Sequence, residues 1–180
     1  MDLSGARQPI ILVTLIIFSA IFSMSETALT TINKLRIRSL ADDDVRGAKT
    51  VLKLIEEPGK MLSAILIGNN IINISASALA TKMAIDIWGD EWIGLVTGLL
   101  TILILIFGEI TPKSIATIYS EKISLYVAGP FLFFTKLLTP IIYIINKLCT
   151  GIMLFLHIDP KAKASAITEN ELRNILDYSH

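Results

Sequence analysis

Charged residues are missing from long blocks of this chain and gathered between them. Residues 8–25, 61–81 and 93–107 contain no Asp, Glu, Lys or Arg. Apolar stretches of about 20 residues cross a bilayer as helices. The pattern predicts three transmembrane helices, at about 9–33, 58–83 and 92–111. Pro9 and Pro58 suit first-turn positions, where a missing N–H leaves nothing unpaired. Trp88 and Trp92 bracket a short acidic loop as interface anchors. Residues 34–60 hold seven Lys/Arg, so the positive-inside rule assigns that loop to the cytoplasm and the N-terminus to the outside. Within it, Asp42-Asp43-Asp44 before Val45, Leu52 and Ile55 reads as the N-cap of a short amphipathic helix. The run lacks the glycine and distal glutamate of an EF-hand loop.

Residues 123–158 are apolar but interrupted by Pro130, Lys136, Pro140 and Lys147. They read as a fourth span over 125–145 or as amphipathic helices at the inner interface. The lysines at 113, 122, 136 and 147 favour the interface. The expected fold is an all-α membrane protein: three transmembrane helices plus a belt of short amphipathic juxtamembrane helices at the cytoplasmic face, about 115–157. Residues 158–180 then form a linker and, from the capping box Thr168–Glu171, the start of a cytoplasmic helix that leads toward a soluble continuation.

Composition agrees: 53% hydrophobic and 18% charged, with a mean hydropathy of +0.65, is too apolar for an ordinary soluble domain. Zero net charge says little about partners, and no stretch resembles a basic nucleic-acid surface. The single cysteine, Cys149, permits no intrachain disulfide, and His157 and His180 lie outside the apolar blocks, so a zinc site on histidine is not expected.

The polar residues inside the blocks carry the chemistry. In the first, Ser19, Ser23, Glu26 and Thr30 recur at spacings of 4, 3 and 4, with Ser25 and Thr27 beside them. Ser19 and Thr30 read as helix-packing residues. Glu26 must face protein or water. The second block has Asn69, Asn70 and Asn73 at mid-span, more amides than helix association requires. The third ends in Gly108-Glu109-Ile110-Thr111-Pro112-Lys113. Pro112 has no N–H and its ring presses on the Gly108 carbonyl, which is thereby freed beside a carboxylate. Ser23, Ser25, Asn69, Asn70, Asn73, Gly108 and Glu109 are therefore candidate cation ligands, supported by Glu26, Thr111, Pro112 and Lys113. All-oxygen ligation suits Mg²⁺, Ca²⁺ or Na⁺ and disfavours zinc or copper. Two acids close together would roughly balance a divalent charge. Gly94, Gly98 and Thr101 form a small-residue face suited to close helix contact, across a dimer for example.

Ser23-Met-Ser-Glu-Thr-Ala-Leu29, Gly68-Asn-Asn-Ile-Ile-Asn73 and Gly108-Glu-Ile-Thr-Pro-Lys113 together resemble the transmembrane domain of the CorC/CNNM magnesium transporters, over about residues 8–180. The resemblance implies a plasma-membrane homodimer in contact with lipid, an inner belt of short helices, and a CBS-domain pair beyond residue 180 that binds ATP. It implies Mg²⁺ export, with Na⁺ as a coupled ion, and no enzymatic activity. Two other readings stand beside it. One is a membrane sensor or scaffold that binds Mg²⁺ without moving it. The other is a membrane-embedded serine hydrolase using Ser23 or Ser25 with Lys113, which needs that pair within hydrogen-bond reach.

Overall fold

The computed structural model describes residues 3–156, with side chains from residue 7. The described chain is helical throughout. Helix α1 covers Leu3–Thr31, α2 Lys34–Asp42, α3 Ala48–Glu56 and α4 Pro58–Trp88. Helix α5 covers Ile93–Leu103, then a π-helical segment runs Ile104–Ile110, followed by α6 at Thr111–Ile118 and α7 at Ser120–Phe155. The linker and capping box expected at 158–180 lie outside the described residues.

Several expected boundaries move. Helix α1 starts at Leu3, so Pro9 lies inside it, not in its first turn. Pro58 does open α4, which runs on past Lys82 and Asp86 to Gly89, where φ is 83° and the N–H donates to the Ile85 carbonyl at 3.0 Å. Charge near the end of the span did not stop the helix; it ends at a glycine whose positive φ other residues rarely adopt. The triple aspartate is not an N-cap. Asp42 ends α2, Asp43 caps its C-terminus, and α3 begins after Gly47. Asp44 adopts φ 54° and pairs with Lys49. That contact holds the Asp44 carboxyl below its usual range and the Lys49 ammonium above it. The pair's contribution is therefore present at neutral pH, lost in acid as Asp44 protonates, and lost in strong alkali as Lys49 deprotonates.

Four helical stretches are long and apolar enough to cross a membrane: Arg7–Thr31, Pro58–Trp88, Asp90–Ile118 and Ser120–Phe155. The first three are the expected spans, and the fourth covers the stretch expected as a further span or as interfacial helices. It is α7, a single helix of 36 residues where short ones were expected. Pro130 and Pro140 do not end it, because a proline removes one helical hydrogen bond and the remaining ladder can carry the helix through.

Contacts divide the chain at Thr139. In the first unit α1 packs against α4, α6 and the π segment, and α4 also packs on α5. Its main core joins Phe22 and Leu29 of α1 and Ile32 just beyond it to Ile37 of α2, Val51 and Leu54 of α3, Met61 and Ile65 of α4, and Ala128 and Phe131 of α7. The turn before α3 is fixed by Gly47, at φ 90°, where a Cβ would sit 2.5 Å from the Leu125 carbonyl oxygen. Gly47→Ala is expected to destabilise the fold by about 1–3 kcal/mol, read as a lower midpoint of thermal unfolding.

Candidate cation site

Three separate stretches of chain meet at Asn73. The Ser19 hydroxyl of α1 donates to Asn73 Oδ1 at 2.7 Å, and Asn73 Nδ2 donates to Glu109 Oε1 of the π segment at 3.2 Å. Asn69 Oδ1, one turn earlier on α4, lies 3.5 Å from the same Ser19 oxygen. A hydroxyl, two amide oxygens and a carboxylate are thus drawn together inside a helical membrane unit. Polar groups in such surroundings are costly unless they satisfy one another, which gives this network its reason to form.

The local backbone makes room for it. Gly108 is buried, and a Cβ there would stand 3.0 Å from Ser19 Oγ. The absent side chain lets α1 approach the π segment. The wide turns carry the chain into α6 without a break: the Thr111 N–H reaches the Ile106 carbonyl, five residues back. Pro112 falls in the first turn of α6, where its missing N–H leaves a carbonyl of the preceding π segment without that helical partner. The helix expected to end at about 111 therefore continues, through a π segment, into α6. Such segments are rare and concentrate at functional sites.

Ser23, one turn beyond Ser19 on α1, is fully buried, and its hydroxyl has no hydrogen-bond partner among the described residues. A buried hydroxyl without a partner carries a desolvation penalty of about 1–3 kcal/mol. Replacement of Ser23 by alanine should leave thermal stability unchanged or raise it, and should weaken Mg²⁺ binding by isothermal titration if this oxygen serves the ion. A loss of both together would assign Ser23 a packing role.

The remaining predicted residues separate into two groups. Glu26 accepts an ion pair from Lys113 of α6 at 3.2 Å, which ties α1 to the helix after the π segment. This occupies one of the two acids expected to balance a divalent charge and leaves Glu109 as the carboxylate in the network. Ser25 is buried but donates back to the Ile21 carbonyl at 2.7 Å, as a packing serine does. Asn70 and Thr111 are exposed and make no side-chain hydrogen bond recorded among the described residues. Lys113 is engaged by Glu26, with no hydrogen bond to Ser23 or Ser25, so the Ser–Lys pair required for a hydrolase is not assembled. Ser19 makes the helix–helix contact expected of it, and its partners are the candidate amides of α4. Its spacing on the Ser23–Glu26 stripe was the available signal; what the spacing could not supply was the partner amides 50 and 54 residues away. Among the described residues no three His, Cys, Asp or Glu side chains form a metal cluster, so the donors here are neutral oxygens with one carboxylate.

A family model described as the cyclin M transmembrane N-terminal domain matches residues 10–180. A UPF0053 protein of Haemophilus influenzae is 38% identical over 93% of this chain and 40% of its own length. The inner membrane protein YfjD of Escherichia coli, also a UPF0053 protein, is 37% identical over 89% of this chain and 38% of its own. A polyamine export protein of Salmonella typhimurium is 28% identical over 93% of this chain and 40% of its own. The chain therefore spans about two fifths of the length of these curated relatives.

Proposed function

This chain belongs to the cyclin M transmembrane-domain family of multi-pass membrane proteins, and on that premise we propose that it conducts Mg²⁺ across the plasma membrane through the oxygen cluster around Asn73. The observation that carries the proposal is the Ser19–Asn73–Glu109 chain of hydrogen bonds, which crosses three helical elements. A small hard cation can sit between Ser19 Oγ and the amide oxygens once the Ser19 O–H, still protonated, rotates away from Asn73. Ser19 then turns a lone pair inward, and Asn69 and Asn73 present Oδ1 to the ion. Ser23 and the Gly108 carbonyl are the further donors of the proposed set, and Glu109 supplies the charge.

Charge count favours passage over storage. With Glu26 held by Lys113, one carboxylate faces the ion, and oxygen sites bind more weakly as their charge falls. A sensor needs retention; a conduit needs release. The same count separates Mg²⁺ from polyamines, which relatives named polyamine export proteins raise as a second cargo. An extended polycation needs several acids in a row, and the network offers one. Export as the direction, Na⁺ as the coupled ion, a homodimer through the exposed Gly94–Gly98 face and ATP binding in a CBS-domain region belong to the same proposal.

The topology proposed with it keeps three spans, a cytoplasmic C-terminus and an inner belt. Support comes from the first half of α7. Its Leu125 backbone meets the α2–α3 turn, and its Lys136 shares a cavity with Glu57 and Lys60 at the start of α4. A helix segment touching the basic 34–60 region at both points fits the membrane face better than the bilayer centre.

The test is reconstitution of the purified chain in liposomes with an entrapped Mg²⁺ indicator, run in parallel with radiolabelled spermidine. Saturable Mg²⁺ flux without spermidine flux is the expected result. Spermidine flux alone would transfer the site to polyamines, and Mg²⁺ binding without flux of either would make it a sensor.

A further inference from the structure

Lys136 stands alone in an apolar stretch: no charged residue occurs from Ile123 to Thr135 or from Leu137 to Asn146. A lysine so placed in a membrane protein calls for an anion or water at its ammonium group. In the structure it lines a cavity of about 250 Å³ together with Lys53 of α3 and Lys60 in the first turn of α4. Two acids line the same cavity, Glu56 and Glu57. Glu57 is engaged by Lys60 at 3.6 Å. Lys53 and Lys136 make no ion pair with any described residue.

A second observation comes from Thr135, which lines the cavity beside Lys136. It is 4% exposed, and its hydroxyl is buried with no hydrogen-bond partner among the described residues. Several threonines on these helices return their hydroxyls to the carbonyl four residues back, as Thr139 does to Thr135 and Thr150 to Asn146. Thr135 forgoes that bond and keeps a donor in reserve. Three lysines against two glutamates leave the cavity one positive charge in excess, the complement of a single phosphodiester. Leu54, Met61 and Leu132 give it an apolar wall.

We infer that this cavity seats the phosphodiester of a membrane-lipid headgroup, with Lys53 and Lys136 as counter-charges and the Thr135 hydroxyl donating to a phosphate oxygen. Lysine clusters between helices at the inner face of a membrane are suited to such headgroups. The apolar wall takes the glycerol and first acyl carbons, which a free phosphate lacks, and Glu56 is placed to accept from a headgroup hydroxyl or ammonium. The site is separate from the cation network and does not depend on what that network carries.

The full chain in detergent, titrated with dioleoyl phosphatidylglycerol and followed by native mass spectrometry, tests this. One lipid per chain should be retained, resistant to millimolar inorganic phosphate. Lys136→Gln should weaken retention by about five- to tenfold and Lys136→Arg should preserve it. Thr135→Val should weaken it several-fold. Should Lys136→Gln fail to fold, Lys53→Gln, on an exposed side chain, reads the same loss. Equal retention by the wild type and the lysine variants would overturn the assignment, as would displacement of the lipid by inorganic phosphate, which would make this a free-anion site.

Discussion

Asn73→Ala is expected to lower Mg²⁺ flux in proteoliposomes by at least about 10- to 100-fold while helical content by circular dichroism stays unchanged. Losses of that size follow removal even of groups that only orient a metal ligand, and Asn73 is assigned both tasks. Its Oδ1 is a proposed ligand; its Nδ2 holds Glu109 at 3.2 Å. Alanine would leave Ser19 with only the long 3.5 Å approach to Asn69, and Glu109 without its amide donor. The accompanying stability loss should be about 1–3 kcal/mol, the usual consequence of stranding buried polar partners. Glu109→Gln separates the two effects. It keeps an oxygen that can accept from Asn73 and removes the charge, so flux should fall with little change in unfolding temperature. Wild-type flux in both variants would remove Asn73 and Glu109 from the conduction path.

The largest effect on stability is expected from Gly68→Ala. A Cβ at this position would stand 2.1 Å from Phe22 Cε1 and 2.7 Å from its Cζ, with Phe134 Cε1 at 3.0 Å. Neither ring is free to retreat. Phe22, Phe131 and Phe134 pack edge to face, with centroid separations of 5.1, 5.2 and 6.3 Å. Alanine gains about 1 kcal/mol over glycine in a helix interior. Overpacking a filled core costs about 1–3 kcal/mol, occasionally more, and a 2.1 Å approach belongs at the upper end. Overpacking should win, and the thermal midpoint in detergent should fall. The effect also reaches the site, since Gly68 precedes Asn69 and Phe22 precedes Ser23. Pushing α1 from α4 would stretch the bond from Ser19 to Asn73. Flux should therefore drop as well, and Phe22→Leu combined with Gly68→Ala should recover part of both. A melting temperature equal to wild type would show that the aromatic cluster is looser than these distances imply.

The spans were legible because a bilayer imposes a length and a polarity that local sequence must meet. Glu26, Asn69, Asn73, Gly108 and Glu109 stood out because lipid leaves polar residues few innocent roles. What stayed hidden depended on partners distant in sequence. Ser19 was legible as a packing residue, but not that its partners would be the amides of Asn69 and Asn73 on another helix. Ser25, two residues from Ser23, looked equivalent to it until its bond to Ile21 placed it in the packing. Asn70 shares the stripe pattern of Asn73 but faces outward. Proline at 112 marked an irregularity but not its form: the chain widens into π turns ahead of the proline and runs on into α6. The triple aspartate misled for a local reason. Asp44 took a left-handed conformation within the turn, and Gly47, not an aspartate, set the start of α3. Residues 120–155 were the least legible, since apolar lengths interrupted by lysine and proline fit a long helix and a chain of short ones equally well.

The central claim is that one cation is shared by α1, α4 and the π segment. Its most direct test is an experimental structure of the protein in saturating Mg²⁺. A single ion is expected, coordinated at about 2.0–2.1 Å by the Asn73 amide oxygen and by oxygens drawn from Ser19, Ser23, Asn69, Gly108 and Glu109. An ion bound elsewhere in the membrane domain, or an undisturbed Ser19–Asn73 hydrogen bond with no ion beside it, would contradict it.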